Sequence, residues 1–311
     1  MNIVVMGECM IEFSPAGNSS YKQAFAGDVY NTAVYLKRLQ NSAVDISILT
    51  AVGCDALSNA MVDDFKASGI DTSYVQRVSQ RQTGAYLIEI SAEGERSFVY
   101  WRDTSAAKIT ISQLEDSAKR KLIKQCDMFY FSGISIAILA NEDRQAFWLL
   151  LVELKQAGVK IVFDSNFRSR LWKSTEDAIS QFEQALRISD IVFAGVEDFT
   201  LLYDLNSFSD VDNFLSDHAI NELIIKNGPD DIFYRSPIET FILGISKVDS
   251  VVDSTSAGDS FNSGYLSARM NGSSSKEAIE HACRVSACVI QHKGAVINQD
   301  VFSAFMAKEQ A

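Results

Sequence analysis

Short apolar runs recur along the chain: "NIVVMG" (2–7), "ISILTAVG" (46–53), "MFYFSGIS" (128–135), "KIVFDSN" (160–166), "IVFAG" (191–195) and "ELIIKNG" (222–228). Each is too short for a helix and rich in Val, Ile and Phe, which predicts strands buried on both faces, as in a parallel sheet. Between them lie amphipathic stretches such as "NEDRQAFWLLLVELKQAG" (141–158), which opens on polar capping candidates and stops at Gly158. Strand and helix alternate over most of the chain. The fold class expected is therefore α/β, a doubly wound, mostly parallel sheet flanked by helices.

Two stretches break that rhythm. "GAYLIEISAEGERSFVYWRD" (84–103) alternates with period two around Ala92-Glu93-Gly94-Glu95, which reads as a β-hairpin with one buried face. "CMIEFSPAGNSSYKQAFAG" (9–27) likewise has strand-like pieces around a Pro/Gly/Asn/Ser turn. Together, about 9–27 and 82–103 form a small β-sheet lid over the strand ends. The apolar hairpin positions Leu87, Phe98 and Val99 suit either pairing with a second subunit or covering the protein's own cleft. "SGISIAILANEDRQ" (132–145) and "NGSSSKEA" (271–278) are helix starts with serine or asparagine caps rather than tethers. With no internal repeat or long linker, residues 1–311 read as one domain carrying the lid.

Composition narrows the partners. At 311 residues, nearly half of them hydrophobic, the chain supports a large core. A net charge of −12 argues against nucleic acid or an anionic membrane, both of which need a basic face. Any anionic ligand must be met locally. Cys9, Cys54, Cys126, Cys283 and Cys288 are odd in number and contain no C-x-x-C pair, so they read as reduced thiols, and the three histidines share no metal-ligand spacing. "MNIVVMGECMIEF" opens as a strand with Glu8 and Glu12 interrupting any apolar core, and no apolar stretch approaches the ~20 residues of a membrane span. A cytoplasmic location is expected.

In an open α/β sheet, ligands sit outside the carboxyl ends of the strands. Neither G-x-x-x-x-G-K-[ST] nor G-x-G-x-x-G occurs, which disfavours a Walker-type NTPase and a standard dinucleotide enzyme. "VVDSTSAGDSF" (251–261) offers a different anion cradle: Ser256, Ala257 and Gly258 present backbone N–H groups where a helix begins, and Asp259 sits beside them. A second helix start, "FAGDVYNTAVYLKRL" (25–39), brings Gly27, Asp28 and Asn31 towards the same cleft. Singly, each has a plainer reading: tight packing, a first-turn carboxylate, an N-cap. The combination points to a site.

"AGDVYNTAVYL" and "DSTSAGDSFNSGYL" resemble the two signature regions of the ribokinase-like, or PfkB, carbohydrate kinases, and the resemblance covers essentially the whole chain. It implies ATP-dependent phosphorylation of a sugar hydroxyl. Within that family, "GECMIE" (7–12), "GERSFVYWRD" (94–103), "SGISIAIL" (132–139) and "DSNFRSRLW" (164–172) look most like members acting on 2-keto-3-deoxygluconate, with "YWR" the sharpest pointer. The acceptor implied is a sugar acid, its carboxylate met by Arg102 and Arg168 and its body by Tyr86 and Tyr100. The resemblance assigns the nucleotide to Asn166, Lys226, Asn227, Gly228 and the 256–258 turn, and Mg²⁺ to the phosphates with Glu197 acting through water. Asp259 would accept the proton of the C6 hydroxyl while the N–H groups of Ser256, Ala257 and Gly258 hold developing charge. Because the transition state is loose, an ordinary carboxylate would suffice.

The chain departs from the family in three places: Ala194 replaces the usual asparagine ahead of Glu197, Ser254 stands for threonine, and Ser256 stands for glycine or alanine. A neutral-sugar kinase such as a fructokinase, and a sugar-acid sensor without catalysis, remain alternatives. Monovalent-cation dependence is left open, and a homo-oligomer formed through the lid is what the family suggests.

Overall fold

The computed structural model describes residues 1–17, 19–40, 44–90, 96–248 and 250–308. Its strands are β1 (Asn2–Met6), β2 (Met10–Pro15), β3 (Tyr21–Ala26), β4 (Asp45–Val52), β5 (Val75–Arg77), β6 (Ala85–Ile90), β7 (Arg96–Trp101), β8 (Met128–Ser132), β9 (Lys160–Asp164), β10 (Ile191–Gly195), β11 (Glu222–Lys226), β12 (Ile232–Arg235) and β13 (Thr240–Leu243). Its helices are α1 (Asp28–Leu39), α2 (Ala56–Ala67), α3 (Asp116–Gln125), α4 (Gly133–Ile138), α5 (Asn141–Gln156), α6 (Thr175–Ile188), α7 (Val196–Tyr203), α8 (Phe208–Phe214), α9 (Ala257–Met270), α10 (Ser275–Ile290) and α11 (Gln299–Lys308). Among the described residues no helix is long and apolar enough to cross a membrane.

The large sheet runs β13-β12-β11-β10-β9-β8-β1-β4-β5. All six apolar runs of the sequence fall in it, and β4, β1, β8, β9, β10 and β11 pair in parallel. Their unbroken hydrophobicity follows from burial on both faces. Val4, Met6, Phe129 and Phe131 join one core with Leu122, Phe147, Phe182 and Phe199. Ile3, Val5, Met128 and Tyr130 join another with Val29, Met61, Phe261 and Ala282. Helices α3 to α8 thus cover one face, and α1, α2, α9 and α10 the other. Two antiparallel strands, β12 and β13, extend one edge.

The caps explain where helices begin. Ser132 with Ser135, and Ser274 with Glu277, form reciprocal capping boxes at α4 and α10. Helix α5 differs from expectation. Ala140 is its N-cap, with no side-chain bond, and Asp143 in the first turn instead accepts the N–H of Ile111 at 2.8 Å.

The small sheet, ordered β3-β2-β6-β7, comes from the two segments that broke the strand–helix rhythm. The turn expected at Ala92-Glu93-Gly94-Glu95 lies outside the described residues. Alternation divides the hairpin's apolar positions between two faces. Tyr86, Phe98 and Tyr100 face the cleft, whereas Leu87 pairs with Val99 on the opposite face. Phe98 therefore belongs with the cleft rather than with Leu87 and Val99.

Candidate active site

Four neighbouring parallel strands end on polar or small residues at the same edge of the large sheet: Ser132 on β8, Asp164 on β9, Gly195 on β10 and Lys226 on β11. The N-termini of α1 and α9 point to this edge, and the small sheet overhangs it. The result is a cleft of about 910 Å³, lined by both helix starts, the ends of β9, β10 and β11, and Tyr86, Phe98 and Tyr100.

Helix α1 enters at Gly27, an extended residue that makes no side-chain cap. A Cβ there would sit 2.3 Å from the Glu8 carbonyl oxygen, so only glycine lets the helix start lie against the end of β1. Asp28 is not the cap. Its Oδ2 accepts from the Ser132 hydroxyl and, at 2.9 Å, from the Asn166 amide. One turn on, Asn31 Nδ2 donates to Asp259 Oδ2 at 2.8 Å.

The Asp259 carboxyl is pushed up to about 7, chiefly by burial and next by the Asp28 charge, with the Asn31 bond opposing both. Burial also raises Asp28, against the Ser132 bond. Asp259 is thus poised near neutrality and is not the ordinary carboxylate expected from sequence. Lys226 is not a solvated strand-end lysine either. Its Nζ lies 3.3 Å from Asp164 Oδ1 and donates to Asn262 Oδ1 at 3.1 Å. Asn262 Nδ2 in turn donates to the Tyr130 hydroxyl at 3.0 Å.

Most residues singled out from the sequence line one cleft: Gly27, Asp28, Asn31, Tyr86, Tyr100, Asn166, Arg168, Glu197, Lys226, Gly228 and Ser256 to Asp259. Three placements differ. Arg102 does not line the cleft, because its guanidinium is spent on the buried Glu8, which also accepts from Ser105. Asn227 turns away from the lining, its carbonyl closing a turn with the Asp230 N–H. The Ala257 N–H is engaged by the Ser254 carbonyl at 3.2 Å, which removes it from the cradle.

Among the cleft residues that the sequence did not single out are Asp164, Asp198 and Arg170, and fully buried Ser132 holds Asp28 from outside the lining. Each stands at or just beyond a strand's carboxyl end, which is the signal that points to them. Asp198 is raised to about 6 by burial, against the Ser165 hydroxyl bond, and Arg168 Nη1 lies 3.9 Å away. Arg170 stacks over the Tyr100 ring, with its guanidinium carbon 4.3 Å from the centroid, and has no carboxylate partner among the described residues.

Among the described residues no group of three or more histidines, cysteines or carboxylates is placed to hold a metal. Asp164 and Asp198 are taken by Lys226 and Ser165, whereas Glu197 is exposed on the cleft wall. This donor set fits Mg²⁺ carried largely by phosphates and water, a habit of that ion. Ala194 faces the core rather than the cleft.

A sequence profile described as "pfkB family carbohydrate kinase" matches residues 1–301. The chain is similar to the 2-dehydro-3-deoxygluconokinase of Escherichia coli (strain K12), 36% identical over 307 residues, 97% of this chain and 99% of that one. It is less similar to a probable fructokinase-7 of Arabidopsis thaliana, 28% identical over 85% of this chain and 77% of that one. Among solved structures, the 2-dehydro-3-deoxygluconokinase of Thermotoga maritima superposes with a TM-score of 0.84 at 20% identity, covering 99% of this chain and 98% of that one.

Proposed function

The chain belongs to the pfkB family of carbohydrate kinases, and within it we propose that this protein transfers the γ-phosphoryl group of ATP to the 6-hydroxyl of 2-dehydro-3-deoxy-D-gluconate. The observation that carries the reading is the Asn31–Asp259 pair. It sets a carboxylate with a pKa of about 7 beside the N-terminus of α9, in a cleft large enough for two ligands.

Asp259 takes the proton of the 6-hydroxyl as that oxygen bonds to phosphorus and the bond to the ADP oxygen breaks. Asn31 fixes the carboxylate so that Oδ1 is left to face the hydroxyl. Gly258 and Ser256 supply backbone N–H groups at the head of α9, whose dipole favours the same negative charge. Lys226 adds one positive charge to an acidic cleft, held in place by Asp164 and Asn262. Asp28 forms the wall on the sugar side, and Asn166, which donates to it, stands towards the nucleotide. Where Mg²⁺ is bound, Glu197 would hold it through water, and the ion would neutralise phosphate charge.

Arg168 and Arg170 at the cleft mouth are the natural partners of the sugar-acid carboxylate, through paired charge-assisted hydrogen bonds. The small sheet acts as the lid. Its outer face, with Val99 38% and Trp101 56% exposed, suits pairing with a second copy of the chain, and a cytoplasmic location fits the reduced cysteines. A coupled ADP-release assay compares 2-dehydro-3-deoxygluconate, fructose and ribose. The sugar acid is expected to give the highest kcat/KM. Preference for fructose would replace the reading by the neutral-sugar alternative, and no ADP release with any of the three would favour a sensor.

A further inference from the structure

Ser256 is the N-cap of α9 and lines the cleft. With φ 66° it is one of two non-glycine residues of that lining in a positive-φ conformation, the other being Asn166 at 29°. A left-handed residue followed by a helical one curls successive N–H groups into a concave nest that suits an anion, and here the Ser256 and Gly258 N–H groups are left for it, since the Ala257 N–H is held by Ser254. Glycine reaches this conformation freely, but serine is strained in it. An N-cap serine ordinarily uses its hydroxyl to accept an N–H of the first turn. Here the left-handed backbone turns the side chain away, and no such bond forms.

The Ser256 hydroxyl is consequently left without any hydrogen-bond partner among the described residues, although the residue is only 9% exposed. Both the strain and the unmet hydroxyl are unfavourable for the folded chain alone, and together they point to a bound group that answers them. The Ser256 side chain also draws the Asp259 pKa down, which places the hydroxyl close to that carboxylate. It stands at the head of α9, beside both the backbone donors of the turn and the carboxylate, on the cleft lining.

We infer that the Ser256 side-chain hydroxyl donates a hydrogen bond to an equatorial oxygen of the phosphoryl group in transfer, as a catalytic residue distinct from the backbone donors of the turn. It keeps its own proton throughout. The phosphorus–oxygen bond to ADP breaks, the bond to the acceptor oxygen forms, and the acceptor's proton goes to Asp259. This inference rests on the kinase reading of the cleft.

The test uses Ser256→Ala, which keeps a Cβ in the strained conformation, and Ser256→Gly, which relieves it. Loss of one hydrogen bond to a charged group lowers kcat by about 10- to 100-fold in both variants, with KM for ATP and for the sugar acid within about twofold of wild type. In calorimetry without any acceptor, ADP–aluminium fluoride should bind both variants more weakly by a similar factor, while ADP alone binds as to wild type. Unchanged kcat, or unchanged ADP–aluminium fluoride affinity, overturns the role. So does a Gly variant of normal activity beside an impaired Ala variant, since that pattern belongs to backbone conformation. If the acceptor assigned above were wrong, the turnover comparison would be lost for wild type as well, but the calorimetric one would still decide the role of Ser256.

Discussion

Asn31 and Asp259 stand 228 positions apart in the chain, yet the amide of one donates to the carboxylate of the other at 2.8 Å inside the cleft. The bond joins the first turns of α1 and α9, so each helix start holds the other's functional group. It also defines which Asp259 oxygen remains for a substrate.

Replacing Asp259 by Asn keeps an acceptor for Asn31 and removes the base. The expected outcome is a fall in kcat of about 10²- to 10⁴-fold, with KM little changed. Its effect on stability should have the opposite sign. The folded-state pKa, about 7, lies above the ordinary value of 3.8, so the favourable protonated form is fully present below about pH 4 and is lost as pH rises through 7. Thermal unfolding should show Asp259→Asn melting higher than wild type at pH 8 and no higher at pH 4. A variant that is both active and unchanged in Tm would contradict the assignment.

The acid limb of the kcat/KM profile should fall near pH 7 in the wild type, where Asp259 protonates. Asp28 contributes to that position through its charge. Asp28→Asn should move the limb to lower pH, apart from any rise in KM for the sugar. An unmoved limb would show that a different group titrates.

Arg168→Ala and Arg170→Ala should each raise KM for the sugar acid by about 10- to 100-fold, the worth of a charge-assisted pair, and leave KM for ATP alone. A neutral sugar of the same length should be nearly indifferent to either change. Equal losses on both substrates would mean that the arginines shape the cleft rather than read a carboxylate.

Arg102→Ala should behave differently. The side chains of Arg102 and Glu8 are 12% and 2% exposed, and removing the arginine leaves the glutamate buried with only Ser105. The cost expected is about 3–5 kcal/mol of stability, read in denaturant unfolding. Adding Glu8→Gln should recover much of it. Should Arg102→Ala instead fold normally and raise only KM for the sugar acid, the guanidinium must leave Glu8 for the ligand.

What the sequence disclosed and what it hid divide along physical lines. The six parallel strands were legible because burial on both faces leaves continuous apolar runs such as "MFYFS" at β8. Strands β12 and β13 were missed, and "TFIL" at the sheet edge alternates in exposure rather than reading as buried throughout. The cradle and the α1 start were legible as local patterns. The pairing of Arg102 with Glu8 was not, since it joins residues 94 positions apart and gives the same arginine a different employment. Nor could spacing reveal that Asp28 would raise Asp259, because that coupling exists only once the two helix starts meet.

The gathering of Asp28, Asp198 and Asp259, all raised, carries a consequence for the heat of binding. With Asp198 raised to about 6 and Asp259 to about 7, the cleft enters solution at pH 7 with a fractional proton inventory. Admitting an anion beside them shifts that inventory upward, and the extra proton comes from the buffer. Titration calorimetry of the sugar acid in phosphate and in Tris should then yield different apparent enthalpies for one affinity, the difference counting the protons that enter with the ligand.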